Sequence, residues 1–431
     1  MLLSPLLLWA TTASASISLL PNTDATFPSS PQPFTISVSP AFINETLSRV
    51  ANSRPPIPIT GLSPPNSDGP TLAKYAALRK YWLNEYSWPA TEEAINRVLH
   101  QFTTTVHSPD SSYPHPVPLH FVHHRSPRAD AIPLLFIHGW PGSFLEVSKI
   151  ITLLTNPPNA SVPAFHVVAP SIPGYGFSPA PVHAGYGPLE AGRSFHALML
   201  QLGYGKYVVQ GGDIGGFILR HQAAAYPASV VSALSNFWLV RPNATDLAGW
   251  AAGETSEGEA AYMQGLERYI VERSGYRFVQ QTVPLALAYL ANDSPLGFAL
   301  WVWNLMSEIV DPRHGGFGLG EVVTWSLMYS IQGPYGGFRM YKEMVAEGDF
   351  ADVGIGRPPF VVQPVGVTQR PYDLGFGMPV EWARRDGNVK AVYVHEVGGH
   401  FAAYKDTESL ADDVYRWFGD RELSGTAVFH Q

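Results

Sequence analysis

The stretch KYVVQGGDIGGFILRHQ, residues 206–222, decides the fold. An apolar run enters the turn Gly211-Gly212-Asp213-Ile214-Gly215, and an amphipathic helical pattern leaves it. Small residues on both sides of a central polar one, between strand and helix, form a nucleophile elbow. So sharp a turn forces its central residue into a strained backbone conformation, and side chains on its neighbours would clash, hence the glycines. The central side chain then stands at the carboxyl edge of a sheet beside a helix N-terminus, a place that favours a carboxylate. The competing reading makes Asp213 a plain N-cap of the following helix. That reading leaves the flanking glycines unexplained.

Working outward from the elbow, strands and helices alternate. PVPLHFVHHRS, AIPLLFIHGW, FHVVAPSIPGYG and KYVVQGG read as strands, and FLEVSKIITLLT, GRSFHALMLQLG and GGFILRHQAAAYP as helices. The pattern predicts an α/β fold with a mostly parallel central sheet and helices on both faces. Residues 241–355 break it with aromatic-rich helical sequence and read as a cap inserted into the sheet domain. Alternation returns in 356–431 with PPFVVQPVGV, NVKAVYVHEVGGHF and LADDVYRWF. The core thus divides into 116–240 and 356–431, and residues 16–115 form an N-terminal extension. Within that extension, residues 19–72 are rich in Pro, Ser and Asn and read as extended with few elements. From Thr71 to about His107 the pattern is helical, with Thr91 as an N-cap.

The chain has 431 residues, a net charge of −8 and only 14% charged residues. No basic patch is dense enough to track a phosphate backbone, so nucleic acid is not an expected partner. The chain has no cysteine, which excludes disulfides, thiolate metal sites and thiol catalysis. The first residues, MLLSPLLLWATTASASIS, read as a secretory signal cleaved after Ala13-Ser14-Ala15, giving residues 1–15 as signal peptide. No Lys or Arg precedes Arg49, which is atypical for such a signal. A disordered or buried N-terminus and an uncleaved anchor are the alternatives. N-x-S/T sequons at Asn44, Asn159, Asn243 and Asn292 fit a secreted glycoprotein.

An Asp nucleophile attacks a saturated or epoxide carbon and forms an alkyl ester, which water must then cleave. No G-x-S-x-G occurs in the chain. The nearest stretch, Gly176-Phe177-Ser178-Pro179-Ala180, runs into Pro-rich sequence, reads as a loop and supports no serine esterase. In the chain order of this fold an acid and then a histidine follow the nucleophile. His400 comes after the strand NVKAVYVHEV in a Gly-flanked loop, where a general base belongs. His395-Glu396 and His400 have the wrong spacing for a zinc helix, and the glycines oppose a helix there.

Several longer motifs, in order, resemble the microsomal-type epoxide hydrolases. They are the Tyr81-Trp82, Tyr86 and Trp88 region, HFVHHRSP at 120–127, His138-Gly139-Trp140-Pro141-Gly142-Ser143-Phe144, PSIPGYGFS at 170–178, the elbow, and Gly398-Gly399-His400-Phe401. The resemblance covers most of the chain from about residue 40. It implies an α/β-hydrolase fold with a helical cap and a wrapping N-terminal segment. It also implies that Asp373 is the acid that orients His400; Arg370-Pro371-Tyr372-Asp373 keeps the family's Pro and acid but changes the rest, and Glu381 and Asp386 are fallback candidates. Tyr276 in ERSGYRF and Tyr341 in FRMYKEM match the tyrosines that protonate the epoxide oxygen. Backbone N–H groups of Trp140 and Ile214 would form the oxyanion hole. The expected reaction adds water to an apolar epoxide and gives a vicinal diol, without metal or cofactor. The partners are then the epoxide and water, with a homodimer implied by the resemblance. The expected location is outside the cell, or at the endoplasmic reticulum membrane if the anchor is retained. Host, environmental and biosynthetic epoxides are all open as substrates, detoxification among the roles. Two other readings stay open. A haloalkane dehalogenase also uses an Asp nucleophile, but carries a Trp after it where this chain has Ile214. A catalytically silent binding protein on a hydrolase fold is the other.

Overall fold

In the computed structural model, residues 27–64, 67–108, 110–351 and 354–430 are described. The signal reading of residues 1–15 lies outside them. The chain starts with strand β1 (Gln32–Phe34) and helix α1 (Pro40–Ala51), followed by α2 (Leu72–Asn84) and α3 (Trp88–Val98). Strands β2 (Gln101–Val106), β3 (Val117–His124) and β4 (Ile132–Ile137) come next. A 3-10 turn (Phe144–Ser148) and α4 (Ile151–Thr155) lead to β5 (Phe165–Pro170), α5 (Pro188–Gln201), β6 (Tyr207–Gly211), α6 (Ile214–Ala225) and β7 (Val230–Ser235).

The cap holds α7 (Ala244–Ala252), α8 (Glu257–Arg268), a π-helical turn (Tyr269–Arg273), α9 (Gly275–Thr282) and α10 (Pro284–Asp293). It continues with α11 (Pro295–Glu308), α12 (Leu319–Ser330) and α13 (Tyr335–Glu347). A small antiparallel pair, β8 (Phe350–Ala351) and β9 (Gly354–Ile355), closes it. The core resumes with β10 (Val361–Gln369), α14 (Val380–Ala383), β11 (Gly387–Val394), α15 (Ala402–Lys405) and α16 (Thr407–Gly419).

Among the described residues, nine strands form one sheet in the order β1-β2-β3-β5-β4-β6-β7-β10-β11. Pairing is antiparallel from β1 to β5 and parallel from there to β11. The parallel centre is covered on both faces, which is why β6 is buried at every position and β4 at all but one. Register puts Ile137 opposite Gly211, Gly211 opposite Ser235 and Gln369 opposite Val394. Five strands therefore end near one edge, where an open α/β sheet places its ligand.

Four expectations need correction. The extended reading of 19–72 misses α1, whose buried Phe42, Thr46 and Val50 repeat every four residues. The helical reading to His107 overruns: Gln101–Val106 is a strand of the main sheet, so the core does not begin at residue 116. The N-cap of α3 is Ser87, whose side chain accepts from the Ala90 amide, with Pro89 in the first turn; Thr91 lies inside the helix. FLEVSKIITLLT is one 3-10 turn and one short helix, not a continuous helix. The strand VVSALS, β7, is an addition to those read from the sequence.

Candidate active site

Asp213 sits between β6 and α6 at φ 50° and ψ −127°, and no other non-glycine among the described residues has a positive φ. The elbow leaves no room beside it: a Cβ on Gly215 would lie 2.3 Å from the Ile137 carbonyl oxygen. Although Asp213 holds the N-cap position, its side chain makes no capping bond to α6. Its Oδ1 instead accepts a 2.8 Å hydrogen bond from the Trp140 amide in the loop after β4. The Ile214 amide also bears on the carboxylate. The helix-cap reading of Asp213 therefore fails, and the strained turn presents a carboxylate to two backbone donors.

The loops after β10 and β11 meet the elbow. His400 Nδ1 lies 2.8 Å from Asp373 Oδ1, and its Nε2 lies 3.6 Å from Asp213 Oδ2. The His400 amide donates to the Ile309 carbonyl of the cap, and Asp373 Oδ1 also accepts from the Leu374 amide. A backbone bridge between Tyr372 and Gly399 joins the two loops directly. Beneath them, buried Arg370 pairs with Asp406 at 3.0 Å and Asp413 at 3.1 Å, and His395 Nε2 meets Asp413 at 2.9 Å. Asp373 is thus the acid beside His400. Of the fallbacks, Glu381 is exposed and Asp386 faces Arg220.

The cap supplies the roof. Tyr276 on α9 stacks on Trp140 with ring centroids 5.3 Å apart, and Tyr341 on α13 stands edge-on to both. Tyr276 shares a 3.2 Å hydroxyl contact with Tyr269 of the π-helical turn. The Tyr341 hydroxyl is buried without a hydrogen-bond partner among the described residues. Both tyrosines, Asp213 and His400 line one cavity of about 710 Å³. Its other walls are mostly apolar, Phe217, Phe237, Met263, Leu266 and Phe350 among them.

Electrostatics follow from enclosure. Burial raises the Asp213 carboxyl, against His400 and the two amides that favour its anion. Burial alone would lower the His400 imidazole, but Asp373, Asp213 and Glu146 outweigh it and raise it to about 9. Burial holds both Tyr276 and Tyr341 well above the ordinary phenol range, so each keeps its proton.

Residues 31–147 match the epoxide hydrolase N-terminus family, and residues 132–265 match the alpha/beta hydrolase fold family. The chain is 32% identical to epoxide hydrolase 1 of Sus scrofa over 420 residues, covering 90% of this chain and 88% of that one. The chain belongs to the epoxide hydrolase family. It is also 32% identical to a putative epoxide hydrolase of Stigmatella aurantiaca, over 82% of this chain and 77% of that one. Among solved structures, the Aspergillus niger epoxide hydrolase superposes with a TM-score of 0.76 at 26% identity, covering 90% of this chain and 97% of that one. The juvenile hormone epoxide hydrolase of Bombyx mori gives a TM-score of 0.80 at 25% identity, covering 91% and 95%.

In this epoxide hydrolase Ser178 is structural, since its hydroxyl donates to the Ser171 carbonyl and accepts from the His120 amide. His221, Glu347 and Asp349 gather ligand-type atoms within 4.8 Å, but His221 Nε2 is already hydrogen-bonded to Asp349 Oδ1 at 2.8 Å. Three features escaped the sequence reading. Tyr269 had no flanking pattern to mark it. The Arg370 network draws on residues spread over 43 positions. Glu146 lay in view, a few residues beyond the His138–Phe144 motif, yet inside what read as an ordinary helix.

Proposed function

We propose that this enzyme hydrolyses an apolar epoxide to a vicinal diol through an ester on Asp213. The Asp213 carboxylate attacks one epoxide carbon. The C–O bond breaks as Tyr276 or Tyr341 donates its proton to the oxygen, which leaves a hydroxyl on the product carbon. His400, held by Asp373, then takes one proton from water, and the hydroxide adds to the Asp213 carboxyl carbon. The Trp140 and Ile214 amides receive the oxyanion. Collapse expels the diol oxygen, which takes the proton from His400, and the new Asp213 carboxyl returns its proton to the tyrosinate. Charge and protons close with water as the only reagent besides the epoxide.

One observation carries this reading: a strained carboxylate, a His–Asp pair and two protonated phenols face the same mostly apolar cavity. A haloalkane dehalogenase has no use for the phenol pair, and Ile214 follows the nucleophile here. The test is intact-mass spectrometry of His400→Ala mixed with a panel of epoxides. An adduct of one epoxide mass on the Asp213 peptide is expected, and it should vanish in Asp213→Asn. Diol formation by Asp213→Asn, without deamidation of that Asn, would sink the assignment.

Secretion, cleavage after Ala15 and homodimerisation belong to the same proposal. Asn44, Asn159, Asn243 and Asn292 are all exposed, which supports glycosylation in a secretory route. Among the described residues no helix is long and apolar enough to cross a membrane. N-terminal sequencing of material from a eukaryotic host should begin at residue 16, and glycosidase treatment should lower its mass.

A further inference from the structure

Tyr269 is a third phenol at the cavity, and the mechanism above does not use it. It opens the π-helical turn Tyr269–Arg273, which joins α8 to α9. That turn is the only π-helical stretch among the described residues, and such stretches are rare and concentrate at functional sites. Helical side chains lean toward the N-terminus. Tyr276, the second residue of α9, reaches back over the turn, and its hydroxyl oxygen lies 3.2 Å from that of Tyr269. Both tyrosines line the cavity that holds Asp213 and His400. Arg277, 1% exposed, has its guanidinium carbon 5.6 Å from the centre of the Tyr269 ring.

A phenol carries one O–H. When Tyr276 turns that O–H toward the epoxide oxygen, its own oxygen is left as an acceptor. Tyr269 is within reach to donate to it. Burial raises the Tyr269 phenol above its ordinary range against the opposing charge of Arg277, so Tyr269 has a proton to offer. The bond from Tyr269 then does two things. It fixes the Tyr276 rotor with its proton aimed into the cavity. It also strengthens as Tyr276 gives that proton up, because a hydrogen bond to an anion is about twice as strong as one to a neutral oxygen. A contact that tightens only as charge develops lowers the barrier and leaves substrate binding nearly unchanged.

We propose that Tyr269 is a positioning residue of the first half-reaction: it aims the Tyr276 proton at the epoxide oxygen and donates to the Tyr276 oxygen as that proton leaves. The O–H of Tyr276 breaks and an O–H forms on the product carbon's oxygen. Tyr269 keeps its own proton throughout. The Tyr276 phenolate regains a proton from the Asp213 carboxyl when the ester is cleaved. This inference rests on the ester pathway proposed above.

The test is rapid-quench mass spectrometry of the Asp213 ester, with styrene oxide, cyclohexene oxide and 1,2-epoxyoctane as probes. The proteins are the wild type, Tyr269→Phe, Tyr276→Phe and the double variant. Tyr269→Phe keeps the ring and removes only the hydroxyl. It should slow ester formation about 10-fold and leave ester hydrolysis within about twofold, which also reports that the variant is folded. In Tyr276→Phe, where Tyr341 is the remaining donor, adding Tyr269→Phe should cost nothing further, because its partner is gone. The same loss in both backgrounds overturns the proposal, since Tyr269 would then act on the substrate directly or only shape the wall. Ester formation by Tyr269→Phe at or above the wild-type rate also overturns it, and marks the Tyr269 contact as one that holds the Tyr276 proton away from the cavity. An equal fall of ester formation and hydrolysis marks a structural role and overturns it too. Absence of any Asp213 ester across the three probes, in the wild type and in His400→Ala, overturns the ester pathway itself and Tyr269 with it.

Discussion

At the scale of the residue, the same enclosure gives opposite groups their roles. Burial keeps two phenols protonated as donors and raises the Asp213 carboxyl, while a neighbouring imidazolium and two amides keep its anion accessible. Single Tyr276→Phe and Tyr341→Phe variants should each slow ester formation by about 100-fold, and ester hydrolysis much less. Equal loss in both steps, read by rapid quench, would contradict a donor role. The pH dependence follows from charge consumed in the reaction. His400 is raised to about 9 partly by the Asp213 anion, and ester formation removes that anion. Its pKa in the ester should therefore lie below about 9, so it becomes a base once the ester exists. Single-turnover ester hydrolysis should rise with pH through an apparent pKa lower than the one His400 shows by NMR in the free enzyme. Coincidence of the two would refute this coupling. The same shift acts on stability. The folded state holds the His400 proton more tightly than the unfolded chain, so its contribution is full below about 6.5 and is lost as pH rises through about 9.

At the scale of the element, the site is an alignment of strand ends. The motif after β4, the elbow after β6 and the glycines around His400 were legible because each turn demands particular residue types. The loop bearing Asp373 was legible only through resemblance, since an Asp after a strand also suits an ordinary turn. Its support is the buried Arg370 pairing with Asp406 and Asp413 under both loops. Arg370→Met should strand those carboxylates and cost about 3–5 kcal/mol in urea unfolding. Activity should fall as His400 loses its orientation. A loss below about 1 kcal/mol would show that these loops are held by their backbone bridge instead. Helix α1 was overlooked because its proline-rich flanks outweighed a short amphipathic pattern, and β2 was absorbed into the helices before it because short apolar runs suit either state.

At the scale of the whole molecule, the N-terminal region joins both halves of the enzyme. Strand β1 extends the main sheet through β2, while α1 and α2 pack on α11 and α12 of the cap. Tyr86 adds a 3.0 Å hydroxyl contact to Thr324 of α12. The tie is chiefly apolar, with Leu78 and Trp82 of α2 fully enclosed. Trp82→Ala should cost about 3–5 kcal/mol and speed amide exchange in α11 and α12 before the central strands. Exchange rising first in the strands would mean that the region braces the sheet rather than the cap. The Arg49–Asp293 ion pair spans the same junction, but Asp293 is 85% exposed, so Arg49→Ala should change stability by less than about 1 kcal/mol.

The sequence by itself determined the fold class, the elbow, the histidine and the insertion of a helical cap. Each of these rests on local rules: apolar periodicity, the glycines a strained turn requires, and the order of strands along the chain. Only the tertiary structure decided which of three acids reaches His400, that the two cap tyrosines face Asp213 across one cavity, and that the Glu146 carboxyl packs against Gly142 of the oxyanion loop. Those facts depend on residues far apart in the chain being brought within hydrogen-bond distance, and no local pattern encodes a distance between distant segments.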